Sequence, residues 1–153
     1  MSSFTARIYG YPTPWARPRF QRRGAFVQVF EKKEVTDWKR TVQAQAILVK
    51  PEKPLSGPLL MRLTFHLPRP TSLPKKIAHH VKKPDIDNLF KAIADALNGI
   101  AYVDDSQIVA LFVRKIYSEN PGAEIEVDEI GHEAPRAVTL SAQVSFLEGR
   151  PDV

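Results

Sequence analysis

Asp85, Asp87, Lys91 and Asp95 stand two and then four residues apart in and just beyond the run Lys82-Lys83-Pro84-Asp85-Ile86-Asp87-Asn88-Leu89-Phe90-Lys91, and a second acidic pair, Asp104-Asp105, follows. Carboxylates are the hard oxygen ligands that Mg²⁺ takes, and because Mg²⁺ keeps several of its waters, three or four acids suffice for one or two ions. An ion held in this way generates a hydroxide and neutralises charge gathering on a phosphate and its leaving oxygen. If Asp85 precedes the first helical turn, its side chain can swing toward Asp87 and share one ion with it. Lys91, one turn from Asp87, is within reach of stabilising the same charge or orienting the attacking water.

The acids also have a purely structural reading. Asp before a helix is a common N-cap, acids in a first turn suit the helix dipole, Asp-Asp is ordinary in turns, and Lys91 can simply pair with Asp87 or Asp95. What favours chemistry is the setting. The chain has 153 residues and a formal net charge of +5, but residues 1–117 hold 20 Lys/Arg against 9 Asp/Glu, a net of +11, while residues 118–153 hold 2 against 8, a net of −6. Five of those nine acids are Asp85, Asp87, Asp95, Asp104 and Asp105. A basic surface whose acids are confined to one short stretch suits a polyanion and a metal pocket together, although a basic face also serves solubility alone. With no cysteine, disulfides, Cys-type zinc sites and thiol nucleophiles are excluded. The start of the chain lacks the layout of a signal peptide, and no apolar run approaches ~18 residues, which leads us to expect a soluble, intracellular protein.

Periodicity shows which elements must position these groups. Phe4 to Tyr11 alternates as a strand, and Pro12, Pro14 and Pro18 then break pairing. Arg17, Arg19, Arg22 and Arg23 interleave with Trp15, Phe20 and Phe26 around Gly24, which predicts a short hairpin. Arginines beside aromatics grip phosphates and stack on exposed bases; the competing reading is a basic hairpin whose aromatics pack inward. Val35, Trp38, Val42, Ala46 and Val49 predict a helix over 31–50 ended by Pro51 and Pro54, and Leu59 to Leu67 reads as a strand with Leu59, Met61, Leu63 and Phe65 on one face. The connection 68–84 is long, proline-rich and basic, so we expect it to be exposed and partly mobile, with Lys75, Lys76, His79, His80, Lys82 and Lys83 close to DNA. His79 and His80 are neighbours on an extended segment and point apart, which suits surface contact better than shared metal ligation.

The helix expected over 85–98 carries its apolar stripe at Ile86, Leu89, Phe90, Ile93, Ala94 and Leu97, stops at Asn98-Gly99, and leaves Asp87, Lys91 and Asp95 on another face. The short stretch 99–103 can return Asp104-Asp105 toward the start of that helix. Ile108 to Tyr117, apolar enough for a central strand, Glu124 to Ile130 and Ala137 to Phe146 complete the pattern. Strands, helix, strand, helix and strands in that order imply a single α+β domain over residues 1–153, with a mixed sheet and helices packed on it.

The segment from Lys83 through Asp85-Ile86-Asp87-Asn88-Leu89-Phe90-Lys91 and Asp95-Ala96-Leu97-Asn98 to Asp104-Asp105-Ser106-Gln107-Ile108 resembles the RusA family of Holliday-junction resolvases. The Asp-x-Asp-Asn-Leu-x-Lys run, the Asp-Ala-Leu two turns later and the Asp-Asp before a strand match in order and spacing. The resemblance implies a RusA-like fold and a small homodimeric endonuclease, bacterial or phage-encoded. Such an enzyme cuts four-way DNA junctions by paired symmetric nicks with Mg²⁺ or Mn²⁺ in recombination and repair. Carried over by position, the catalytic metal-binding acids would be Asp85, Asp87 and Asp105, with Lys91 assisting and Asp104 an additional ligand. The basic loop with His79-His80 is longer than in the shortest family members. The Pro-Asp and Asp/Glu-x-Lys pattern of restriction-type nucleases does not fit, since Asp87 precedes Lys91 by four. The alternative function is a non-catalytic junction-binding architectural protein whose acids only steady the helix.

Overall fold

The structure, a computed structural model, describes residues 1–133. The strand expected at Ala137 to Phe146 lies outside the described residues. The elements run β1 (Ser3–Tyr9), β2 (Arg19–Arg23), β3 (Phe26–Phe30), α1 (Lys33–Ile47), β4 (Leu59–Pro68), α2 (Ile86–Leu97), a 3₁₀ turn (Asp105–Gln107), β5 (Ile108–Ser118) and β6 (Gly122–Glu129). This is the expected α+β domain with a mixed sheet and two helices.

Four strands pair in the order β1-β6-β4-β5. β6 runs antiparallel to both β1 and β4, whereas β5 lies parallel to β4, so α2 is the crossover between two parallel neighbours. Alternation decides which side of the sheet is covered. Phe4, Ala6 and Ile8 of β1, Leu59, Met61, Leu63 and Phe65 of β4, and Ile125 and Val127 of β6 are buried together with Trp38 and Val42 of α1 and Leu89, Ile93 and Leu97 of α2. Completely removing side chains such as Ile93 and Leu97 from water stabilises the fold by ~1.5–3 kcal/mol each. The opposite face of the sheet is polar. Arg62 Nη1 donates to Asp128 Oδ2 at 2.9 Å and lies 3.8 Å from Glu126 Oε2, and His66 Nε2 sits 3.4 Å from Glu124 Oε2. Glu124, Glu126 and Asp128 of β6 are thus paired across this face, away from the acids of α2.

Among the described residues β5 pairs on one side only, with β4; Ile108 and Val113 pack toward the core on the helix side, while Val109 and Leu111 remain exposed. Two local expectations are corrected. α1 ends at Ile47, so Val49, counted as part of its apolar face, lies beyond the helix and is half-exposed. Ile86, at the open end of α2, is likewise exposed, and Ala92 and Ala96 join the buried side because α2 packs against α1 as well as the sheet.

Two glycines are required by the backbone. Gly24 (φ 61°) turns the β2–β3 ribbon. Gly122 (φ 157°) opens β6 where the chain presses on β1, and a Cβ there would collide with the Ile8 carbonyl oxygen. Gly122→Ala is therefore expected to lower unfolding free energy by roughly 2 kcal/mol in a urea titration, since neither backbone segment of the central sheet can give way.

Candidate active site

α2 begins where a constrained loop ends. Asp85 is its N-cap residue with extended backbone (φ −74°, ψ 145°), yet its side chain forms no capping bond; Asp85 Oδ2 instead accepts from Lys83 Nζ at 2.6 Å. The capping role proposed for Asp85 is not taken up by its carboxylate. Asp87 sits in the first turn and is exposed, where the positive end of the helix dipole favours an anionic group. The loop that delivers them is held by Lys115 of β5, whose Nζ donates to the carbonyls of Lys82 at 2.6 Å and Pro84 at 2.7 Å. A charged donor on two carbonyls is a strong tether.

Beyond α2 the chain doubles back. Gly99 (φ 75°) follows the helix, its N–H donates to the Tyr102 carbonyl at 2.7 Å, and the Tyr102 hydroxyl donates to the Ala94 carbonyl at 2.8 Å. Tyr102 is completely buried, and burial pushes its phenol far above the usual range, so it stays a neutral donor. This buried phenol fixes the turn carrying Asp104 and Asp105 against the later turns of α2. The return reaches the Lys91–Asp95 stretch, further along the helix than its start.

There the two neighbouring acids are treated oppositely. Asp104 caps the 3₁₀ turn: its Oδ2 accepts from Ser106 N at 3.0 Å while Gln107 Oε1 accepts from its backbone N–H, and the Ser106 bonds hold its carboxyl below the ordinary range. Asp105 is partly buried, and its carboxyl is pushed up, first by desolvation, then by the charges of Asp104 and Asp95 and a hydrogen bond to Asp95; Lys91 acts in the opposite direction. Asp95 is in turn 3.5 Å from Lys39 Nζ, which also donates to Glu31 at 2.6 Å. An open groove of about 290 Å³, lined by Phe90, Ile108, Val109, Ala110 and Leu111, borders Asp105.

Asp95, Asp104, Asp105 and Lys91 are therefore brought together, and Asp85 and Asp87 mark the other end of the same helix. Among the described residues no three His, Asp or Glu side chains already stand at metal-ligand spacing. The donor chemistry nonetheless fits a hard divalent cation: every candidate ligand is a carboxylate, and a carboxyl crowded by neighbouring negative charge is relieved by a cation. Lys39 and Lys115 escaped the sequence reading. Lys39 and Lys115 sit on the partner elements α1 and β5, and only the fold brings them near α2.

The basic groups fall in two places. The β2–β3 ribbon is exposed along both strands, and Phe20 and Phe26 face solvent, so of the three aromatics in this stretch only Trp15 packs inward. Arg17, Arg19, Arg22 and Arg23 are exposed, and among the described residues they form no ion pair within 4 Å. In the connection 68–84, Lys75, Lys76, His79, Lys82 and Lys83 are exposed. Its final part is docked, however: Tyr117 N–H donates to Ala78 O at 2.8 Å, His80 N–H to Lys115 O at 3.3 Å, and the His80 ring packs on Tyr117 at 4.7 Å. Burial and the nearby Lys115 push the His80 imidazole below its ordinary range.

The model of the family described as endodeoxyribonuclease RusA matches residues 10–128. The chain belongs to the RusA family. The match runs from the end of β1 into β6 and encloses the ribbon, both helices and both acidic motifs. The Bacillus subtilis (strain 168) protein YqaN is 34% identical over 133 residues, covering 80% of this chain and 94% of that protein. The crossover junction endodeoxyribonuclease rusA of Lactococcus phage r1t is 43% identical over 49 residues, 31% of this chain and 37% of its own. Membership in RusA makes the chain an endodeoxyribonuclease. Among the described residues no helix is long and apolar enough to cross a membrane.

For this RusA chain the tether at Lys115 gives a direct expectation. Lys115→Met keeps the aliphatic stem but releases the Lys82 and Pro84 carbonyls, so DNA cleavage should slow roughly fivefold through misplacement of Asp85 and Asp87 while thermal stability changes little. Single-turnover rates beside melting curves of the two proteins check it.

Proposed function

We propose that the chain is a Mg²⁺- or Mn²⁺-dependent resolvase of four-way (Holliday) DNA junctions. It acts as one domain over residues 1–153, in a homodimer, in the cytoplasm of a bacterium or of a phage-infected cell. The observation that carries this reading is the crowding of Asp95, Asp104 and Asp105 beside Lys91, on the same helix that Asp85 and Asp87 open, within a RusA match that encloses them all.

Asp85, Asp87 and Asp105 would hold the divalent ion, with Asp104 as an additional ligand through the carboxylate oxygen not used for capping. When bound, the ion supplies an activated water and charge neutralisation at the phosphate. Lys91 places a positive charge beside the same phosphate, against the negative charge that builds as the water oxygen bonds to phosphorus and the opposite P–O bond breaks. Arg17, Arg19, Arg22 and Arg23, with Lys75, Lys76, Lys82 and Lys83 and the flanking His79 and His80, would grip the junction arms. A twofold dimer presents two such sites by symmetry, which suits paired nicks in strands of like polarity.

The test is a labelled four-way junction incubated with the protein and Mg²⁺ or Mn²⁺, alongside a duplex of the same sequence and Asp87→Asn. Junction-selective symmetric nicks that vanish in the variant are expected. Binding without cutting under either ion would make the protein architectural; equal cutting by Asp87→Asn would remove the assigned site.

A further inference from the structure

The Lys91 ammonium lies 3.6 Å from the centroid of the Trp15 ring. Trp15 comes from the proline-rich stretch between β1 and the ribbon, is half-buried against the core, and is anchored by its own backbone N–H, which donates to the carbonyl of Asn88 at 2.8 Å. Asn88 and Lys91 are three residues apart on α2, so one residue grips the catalytic helix by its backbone and caps the lysine with its ring. The acids at helical spacing from Lys91 do not take this role. Asp95 is held by Lys39, and among the described residues Lys91 makes no ion pair within 4 Å.

We propose that Trp15 is a positioning residue for Lys91, holding its ammonium ready for the scissile phosphate. The inference rests on the resolvase reading of Lys91. A free lysine has a long stem with many rotamers, and its charge is spread over all of them. A carboxylate would fix the ammonium but neutralise it and occupy its N–H groups. An aromatic face attracts the cation through its quadrupole without accepting a proton or cancelling the charge. Lys91 is thereby localised on one side, with its charge and donors still available to a phosphate oxygen or to the attacking water.

Four variants test this: Trp15→Leu, Trp15→Phe, Lys91→Ala and the Trp15→Leu/Lys91→Ala double, each checked for folding by circular dichroism. Single-turnover cleavage of a four-way junction in Mg²⁺ and junction affinity in Ca²⁺ are measured for all. The Lys91 ε-methylene proton shift is recorded in the free proteins that retain Lys91. We expect Trp15→Leu to slow cleavage roughly five- to tenfold, the scale of a cation–aromatic contact at a partly exposed site, with affinity unchanged. Trp15→Phe should stay within about twofold of the parent because a ring remains, and the double variant should be no slower than Lys91→Ala. The ε-methylene protons should be shifted upfield by the ring current in the parent and not in Trp15→Leu. Equal losses in the Phe and Leu variants, a further loss on the Lys91→Ala background, or a loss confined to affinity would overturn the proposal. So would an unshifted Lys91 in the parent. A parent protein with the upfield shift that cuts no junction with Mg²⁺ or Mn²⁺ would instead sink the resolvase reading, and with it the catalytic purpose of a contact shown to exist.

Discussion

Asp105→Asn is expected to reduce junction cleavage on the order of 10²–10³-fold while leaving junction affinity unchanged or slightly improved. Asp105 is the one acid of its pair whose carboxyl is not used in the turn: Asp104 performs the capping, so the amide at 105 leaves the 3₁₀ turn intact. The substitution removes a carboxylate from beside Asp95 and Lys91, the group proposed to hold the ion, and alters little else. Asp104→Asn is the informative companion. An asparagine side chain still accepts from Ser106 N–H, so the turn survives and the loss should be below about tenfold. Quench-flow or gel-based single-turnover rates at saturating enzyme, with affinities measured in Ca²⁺, separate chemistry from binding. Cutting by Asp105→Asn within twofold of the parent would exclude it as a metal ligand.

The other large effect belongs to the ribbon. Arg19/Arg22/Arg23→Ala together should weaken junction affinity roughly 10²-fold near 0.15 M salt and flatten the dependence of log affinity on log salt. The pairing of Arg19 with Phe30 and Arg23 with Phe26 puts these two arginines on one face with Gln21 and Gln28, whereas Arg22 shares the other face with Phe20, Val27 and Val29. A two-stranded ribbon fits the major groove of duplex DNA. If it stands in a groove with both faces against phosphates, all three arginines release counterions and the slope falls by about 2.7; if it lies flat on one face, the fall is about 1.8 with Arg19 and Arg23 in contact. Titrations by fluorescence anisotropy at four salt concentrations read the difference. An unchanged slope would remove the ribbon from the DNA interface.

Much of this was legible in the sequence because the deciding patterns are local. The stripe Leu89, Ile93, Leu97 and the alternation of Leu59 to Phe65 each name their own buried face, and Gly24 between alternating strands names the ribbon. The RusA resemblance rests on acids whose order along the chain is itself the motif. What escaped depended on neighbours distant in sequence. The apolar residues of β5 say that one side is covered but not how many strands flank it. Val49 continued the period of α1 past the point where the helix has anything to pack against. Asp95 was visible as part of a ridge with Asp87 and Lys91, yet its contacts with Lys39 and Asp105 required α1 and the return from Gly99 to be in place. Trp15 read as a DNA-stacking aromatic among arginines; only its bond to Asn88 turns it toward Lys91.

The crowding at Asp105 has one more consequence. A carboxyl pushed up by desolvation and by neighbouring acids is a local liability to the folded state at neutral pH, and under the proposed function it is kept because it serves the divalent ion. Improving the chain for heat resistance by random mutagenesis would therefore tend to silence it, since the easiest gains lie in discharging those very positions. On the proposed role of Asp105, thermal robustness and competence to cut DNA are set against each other at this turn, and an engineer wanting both must find the extra stability elsewhere in the molecule.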